Sequence, residues 1–221
     1  MTRERVFRPE AILSDIDGTL IDSTAAVNQA WIAWADRYDL DADQILKVCH
    51  GRRSADTVAM FIDCPRRVEA LAALEALDAA NVDVTALPGA SALLSSVPSG
   101  RWASVTSGSR AVMEHRLRVT GLPVPDVLVS AEDVVRGKPD PEGYAKAAAA
   151  LGYDVGRCLV IEDAPAGIEA GRRAGATVLG VATSHDVEEL WAADAVVRDL
   201  TGCSVGFVNG ALRVVVTLVV P

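Results

Sequence analysis

Asp15 and Asp17, in Ser14-Asp15-Ile16-Asp17-Gly18-Thr19-Leu20, stand where a short apolar run gives way to a glycine. If that run is a strand, its end presents two carboxylates, suited to nucleophilic or acid–base work or to holding a cation. An isolated D-x-D-G is more often an ordinary Asp-rich turn, so the pair carries weight only in company. A calcium loop does not fit, because Thr19 and Leu20 occupy its fifth and sixth places. A second acidic pair, Glu162-Asp163, closes another apolar run ahead of Ala164-Pro165-Ala166-Gly167, where helix capping alone would also favour acidic side chains. Between the two pairs lies Ser104-Val105-Thr106-Ser107-Gly108-Ser109-Arg110, whose hydroxyls and amides could cradle a phosphate at a helix start or simply cap that helix. Lys138 is pinned between Gly137 and Pro139 in Arg136-Gly137-Lys138-Pro139-Asp140-Pro141. A lysine held in so stiff a loop could neutralise phosphate oxygens.

These residues can act together only if the fold gathers them. Apolar, β-rich runs recur at Ala11–Leu13, Trp102–Val105, Val127–Val129, Cys158–Ile161, Thr177–Val181 and Ala195–Val197. Helix-like stretches lie between most of them and end at glycine: Ala111–Thr120 before Gly121, Glu142–Leu151 before Gly152, and Pro165–Ala174 before Gly175. Alternation of this kind implies an α/β fold with right-handed crossovers and a mostly parallel, Rossmann-like sheet covered on both faces. Ligands of such sheets bind beyond the carboxyl ends of the strands, which is where all four motifs fall. Two carboxylates about 4 Å apart repel by roughly 4 kcal/mol at an effective dielectric near 20. Three or four together must take up protons or hold a cation, and an all-oxygen set favours magnesium over zinc.

Residues 23–87 break the alternation and read as an inserted helical cap domain, leaving residues 1–22 and 88–221 as the catalytic core. Val27, Trp31, Trp34 and Tyr38 keep helical spacing behind a candidate Ser23 cap, and this aromatic stripe is better explained by packing within the insert than by a cofactor. Asp41-Ala42-Asp43-Gln44 predicts a capping-box variant opening a second helix, and Pro65–Ala80 a third, with Val68, Leu71, Leu74 and Leu77 on one face. No strand is expected within the insert. Cys203–Val220, with Asn209-Gly210 between apolar runs, suggests a hairpin. His115 and His185 have no companions at ligand spacing, and Arg172-Arg173 reads as a solvated face.

Taken in order, Asp15-Ile16-Asp17-Gly18-Thr19-Leu20, Thr106-Ser107, Lys138-Pro139 and Glu162-Asp163 resemble the four motifs of the haloacid dehalogenase (HAD) superfamily. The resemblance spans nearly all of Ala11–Val197. Its finer features, including His50-Gly51-Arg52-Arg53 in the insert, are similar to those of the 2-deoxyglucose-6-phosphate and glycerol-3-phosphate phosphatases. The resemblance implies that Asp15 is the nucleophile, forming an aspartyl-phosphate, and that Asp17 is the general acid and then base. It implies magnesium held by the Asp15 carboxylate, the Asp17 backbone carbonyl and Asp163, with Glu162 beside or behind them. It further implies phosphoryl contacts from Thr106 and the Ser107 amide, charge compensation by Lys138, and substrate contacts from His50, Gly51, Arg52 and Arg53. The expected substrate is a small sugar or polyol phosphate. The β-phosphoglucomutases of the same superfamily carry lysine and arginine where His50 and Ser54 stand, which favours a phosphatase over a phosphomutase. A dehalogenase needs neither Asp17 nor the Glu162-Asp163 pair. A non-catalytic sugar-phosphate sensor would not need every one of these residues.

Composition narrows the partners. The chain has 221 residues, 21 basic and 30 acidic, for a net charge of -9. Such a surface repels nucleic acid and anionic membranes, so an anionic ligand needs a local positive site. The first ten residues lack the apolar stretch of a signal peptide, and Val214–Val220 is far shorter than the ~20 residues of a membrane helix. Cys49, Cys64, Cys158 and Cys203 are scattered, as reduced thiols in a cytoplasm would be.

Overall fold

The computed structural model describes residues 3–81, 83–208 and 210–219. Its strands are β1 (Glu4–Phe7), β2 (Ala11–Ser14), β3 (Ile21–Asp22), β4 (Thr85–Ala86), β5 (Trp102–Val105), β6 (Val127–Val129), β7 (Cys158–Glu162), β8 (Thr177–Val181), β9 (Ala195–Val197), β10 (Cys203–Val208) and β11 (Ala211–Thr217). Its α-helices are α1 (Thr24–Arg37), α2 (Ala42–Cys49), α3 (Ser54–Phe61), α4 (Arg67–Ala80), α5 (Ala90–Ser95), α6 (Arg110–Val119), α7 (Glu142–Leu151) and α8 (Pro165–Ala174).

Six strands form one sheet in the order β6-β5-β2-β7-β8-β9, with each neighbouring pair parallel. All six strands expected from sequence are present within one residue of their expected ends, α7 and α8 fall on their expected spans, and α6 is displaced by one residue. The central strands β2 and β7 are buried along their whole length. That is why they read as continuous apolar runs and not as alternating ones. Their consecutive side chains serve opposite faces: Ile12 and Ile161 pack with α5 and α6, whereas Leu13 and Val160 pack with α7 and α8. Each such side chain contributes about 1.5–3 kcal/mol by burial. This sandwiched sheet fixes the strand ends rigidly, and β2 between β5 and β7 puts three of the four motifs side by side.

The helices α1 to α4 leave the sheet through β3 and return through β4, which pair antiparallel as Ile21↔Ala86 and Asp22↔Thr85. This two-residue ladder is a strand the sequence did not suggest, since two residues carry no periodicity. The insert has its own apolar cluster around Trp34, Ile45, Val58 and Leu74. Trp31 and Trp34 meet edge to face at 5.3 Å, and the Trp34 indole donates to the Ala70 carbonyl at 2.7 Å. The aromatic stripe is therefore committed to packing, as its spacing implied.

Three further details of the insert differ from expectation. Ser23 makes no side-chain cap; Asp22 Oδ1 instead accepts from the Thr24 amide at 3.1 Å. Asp41 caps α2 through the Asp43 amide, but the Gln44 amide donates to the Asp41 carboxylate instead of closing a box on its backbone. Val68 is 82% exposed while Leu74 is buried. Positions three apart fall back by about 60° per step in a helix of 3.6 residues per turn, so four of them sweep half the circumference and cannot all face one core.

The predicted C-terminal hairpin is present as β10 and β11, paired from Cys203↔Val216 to Val208↔Ala211. Asn209 and Val220 lie outside the described residues. The strand β1 adds to the far edge of β11, and Leu212, Val214 and Val216 join the main core by alternation. Among the described residues no helix is long and apolar enough to cross a membrane.

Candidate active site

Asp15 is the first residue beyond β2, and its amide donates to the Ile161 carbonyl of β7 at 3.0 Å. Lys138, reached through a loop after β6 and joined to Pro139 by a cis peptide, extends its ammonium beneath it. Its Nζ donates to Asp15 Oδ1 and Glu162 Oε1, each at 2.5 Å, and to the Val105 carbonyl at 3.1 Å. The same Glu162 oxygen accepts from the Tyr144 hydroxyl at 2.7 Å, and Oε2 accepts from the amides of Asp163 and Ala164 at 3.1 and 3.3 Å. Asp163 turns the other way and accepts from the Thr19 hydroxyl at 2.9 Å and from the Ser184 hydroxyl. Gly18, at φ +80°, passes directly over it: a Cβ there would lie 2.1 Å from Asp163 Oδ2. Only glycine fits both the backbone angle and the gap.

Asp15, Lys138, Glu162 and Asp163 are all buried, with 6%, 7%, 0% and 4% exposure. One ammonium, bonded to two of them, therefore stands against three carboxylates away from water. Burial raises the Asp15 carboxyl well above the usual carboxylate range, Lys138 pulls it back, and Glu162 and Asp163 add to the rise. Burial and then Glu162 lift Asp163 to about 7. Burial works against the charge on Lys138, but Asp15 and Glu162 more than offset it, and its pKa rises.

Oxygens of Asp15, Glu162 and Asp163 lie within 4.8 Å of one another. The donor set is all hard oxygen and carries more negative charge than Lys138 can balance, which fits a divalent cation. The Asp17 carboxylate stands outside this cluster. It lines the cleft and accepts from Arg116 Nη1 at 2.9 Å.

Thr106 and Ser107, just past β5, line the same cleft as Asp15 and Asp163. Thr106 Oγ1 accepts from the Gly108 amide at 3.0 Å, and Ser107 Oγ donates to the Gly51 carbonyl of the insert at 2.9 Å. His50, Gly51 and Arg52 close the cleft from above. Burial first, then the charge of His185, lowers the His50 pKa, against the pull of Asp17. Gly51 has φ +73°, and a Cβ there would come within 2.8 Å of the Ala164 side chain, so its glycine permits the insert to approach the core. Arg53 does not join the cleft. Its guanidinium is taken by both oxygens of Asp56, at 2.8 and 2.9 Å, and by the Val134 carbonyl at 3.0 Å.

Several residues at the site were not picked out from sequence. Arg116 projects from α6 into the cleft and binds Asp17 and the insert's Asp78. Tyr144 fixes Glu162, and Thr19 and Ser184 fix Asp163. His185, set aside for want of companions, bonds Ser184 Oγ through Nδ1 at 2.8 Å. Arg116 had a signal: it follows Met113 by three residues and abuts Leu117, so it sits on the buried face of its helix.

Comparison with known proteins agrees with this geometry. A family profile for haloacid dehalogenase-like hydrolases matches residues 9–175. The chain belongs to this family. It is 40% identical over 199 residues to hexitol phosphatase A of Escherichia coli (strain K12), across 87% of this chain and 92% of that one. It is 42% identical over 200 residues to validoxylamine A 7'-phosphate phosphatase of Streptomyces hygroscopicus subsp. limoneus, across 86% and 93% of the two chains. The crystal structure of a hydrolase from Pseudomonas syringae superposes with a TM-score of 0.77 at 28% identity, across 86% of this chain and 93% of that one. The six-stranded α/β core is thus that of a HAD-like hydrolase.

Proposed function

We propose that this HAD-like hydrolase is a magnesium-dependent phosphatase of small sugar or polyol phosphates, with residues 23–87 forming a cap domain over the site. The observation that carries the reading is the buried Asp15–Lys138–Glu162–Asp163 cluster opening into a cleft roofed by the insert. Relatives of similar length and at least 40% identity are phosphatases named for hexitol and validoxylamine phosphates. The cleft offers Asp78, Arg52, His50 and Ser54 from the insert, a polar lining suited to a hydroxyl-rich ligand.

In this reading an Asp15 oxygen attacks phosphorus as the bond to the leaving alkoxide breaks, and Asp17 gives the alkoxide a proton. Asp17 then takes a proton from the water that attacks the aspartyl-phosphate, which frees inorganic phosphate and restores Asp15. Thr106 and the Ser107 amide hold the phosphoryl oxygens, and Lys138 offsets the charge on Asp15 throughout. Magnesium would be held by Asp15, Asp163 and the Asp17 backbone carbonyl, where it supplies positive charge against the phosphoryl oxygens. Glu162, with both oxygens already bonded, serves to hold Lys138. Hydrolysis of phosphate monoesters needs up to ~10²¹-fold acceleration, more than any one of these effects supplies.

Release of inorganic phosphate from a panel of hexitol, hexose and glycerol phosphates, with and without magnesium, tests the reading. Turnover is expected only with the metal and only with Asp15 intact. Retention of turnover by Asp15→Asn would overturn the mechanism, and transfer to a second sugar hydroxyl without phosphate release would make the chain a mutase.

A further inference from the structure

Arg116 is the largest charged side chain in the interior, 2% exposed, and it belongs to neither the phosphate contacts nor the carboxylate cluster. It projects from α6, the helix that begins at the Thr106-Ser107 loop. Its fork is split. Nη1 donates to Asp17 Oδ1 at 2.9 Å, and Nη2 donates to Asp78 Oδ1 at 2.7 Å. Asp17 lies on the core and Asp78 on α4 of the insert, so one guanidinium joins the proposed acid to the roof of the cleft.

A guanidinium has donors only and stays charged. An oxygen that accepts from it cannot also carry a proton directed at it. With Oδ1 of Asp17 accepting from Arg116, a proton on that carboxyl is best placed on Oδ2, because the unprotonated oxygen is the stronger acceptor, and Asp17 lines the cleft. Asp78 supplies the second anchor that keeps the fork from turning. Burying such a charge is costly unless it is paired, and both terminal nitrogens of Arg116 are.

We infer that Arg116 and Asp78 are positioning residues: they fix Asp17 so that its proton is presented on Oδ2 to the leaving oxygen, and Asp78 does so from the insert. The inference rests on the phosphatase reading above. In the step concerned, the P–O bond breaks, its electron pair stays on the departing oxygen, and the Asp17 proton passes to that oxygen as Asp15 gains the phosphoryl group.

The test uses three substrates in the presence of magnesium. These are glycerol 1-phosphate, propyl phosphate, and p-nitrophenyl phosphate, whose phenolate departs without a proton. The quantity read is kcat/KM, which reports the steps up to leaving-group departure. Arg116→Lys keeps the charge but loses the fork, and Asp78→Asn keeps the shape; circular dichroism and a melting curve establish that each folds. Misplacing a proton donor costs on the order of 10²-fold. Both variants should lose about that much on glycerol 1-phosphate and propyl phosphate, and at least ~10-fold less on p-nitrophenyl phosphate. Equal loss on all three would overturn the inference in favour of a structural brace. Loss on glycerol 1-phosphate alone would overturn it in favour of hydroxyl recognition by Asp78. Wild-type protein that releases phosphate from none of the three, nor from the hexitol and hexose phosphates of the panel above, would remove the phosphatase reading itself, and this inference with it.

Discussion

Asp163→Asn removes one of three carboxylates crowded around a single ammonium, and the consequence for stability can be worked out. Burial, then the charge of Glu162, raises the Asp163 carboxyl from 3.8 to about 7, against hydrogen bonds from Ser184 and Thr19. In the unfolded chain the group returns to its ordinary value. Between those two values the folded protein therefore binds more protons than the unfolded one, and stability falls as pH rises through the window. Roughly three units at about 1.36 kcal/mol each amount to about 4 kcal/mol lost by about pH 8. Asparagine keeps the size and cannot ionise, and the Thr19 and Ser184 hydroxyls can rotate to suit it. In chelator, the variant should thus be more stable than its parent by about 2–4 kcal/mol at about pH 8, with the difference vanishing near about pH 4. Urea titrations followed by circular dichroism across that range measure this directly. Magnesium at about 1,000 times its Kd should close or reverse the gap, because it adds about 4.1 kcal/mol to the parent and little to the variant. A variant less stable than its parent at about pH 8 in chelator would refute the claim that the cluster is electrostatically strained.

Lys138→Met removes the lone ammonium from between Asp15 and Glu162, and should abolish phosphate release and cost about 3–5 kcal/mol in urea denaturation without metal. Gly18→Ala forces a Cβ to 2.1 Å from Asp163 Oδ2 at φ +80°. Its magnesium affinity, read by calorimetry, should fall by about 10- to 100-fold, as for loss of other groups that orient a metal ligand.

The strand-end motifs were legible because each combines a residue type with a local cue: paired acids before a glycine, a lysine between glycine and proline, hydroxyls at a helix start. The sheet was legible because β2 and β7 are buried along their whole length and apolar up to their last residues, Ser14 and Glu162. The Arg116–Asp78 link was not. Its place beside Met113 and Leu117 marks Arg116 as inward-facing, unlike the exposed Arg172 and Arg173 two crossovers later, but names no partner for it. Its carboxylate partners lie 38 and 99 residues earlier, and both are brought there by tertiary structure. The strand β1 escaped notice for a similar reason, since Glu4 and Arg5 give it no apolar run and its pairing with β11 crosses the whole chain. Arg53 stood in a basic stretch whose other members line the cleft. Asp56, one helical turn on, takes its charge instead.

The Glu162-Asp163 pair shows how much a single register decides. As in any strand, successive side chains at the end of β7 go to opposite faces. Val160 packs with α7 and α8 and Ile161 with α6, so Glu162 follows Val160 to the α7 side, where Tyr144 and Lys138 meet it. Asp163 follows Ile161 to the other side, towards Thr19, Gly18 and the cleft. Gly167 leaves the space that Glu162 occupies, for a Cβ there would lie 1.7 Å from its carboxylate. Slipping β7 by one residue would exchange the two acids, placing the shorter side chain against Lys138 and the longer one under Gly18. The identical charges of the pair thus conceal two jobs, one anchoring the lysine and one facing the cleft, and the pleat of the strand assigns them.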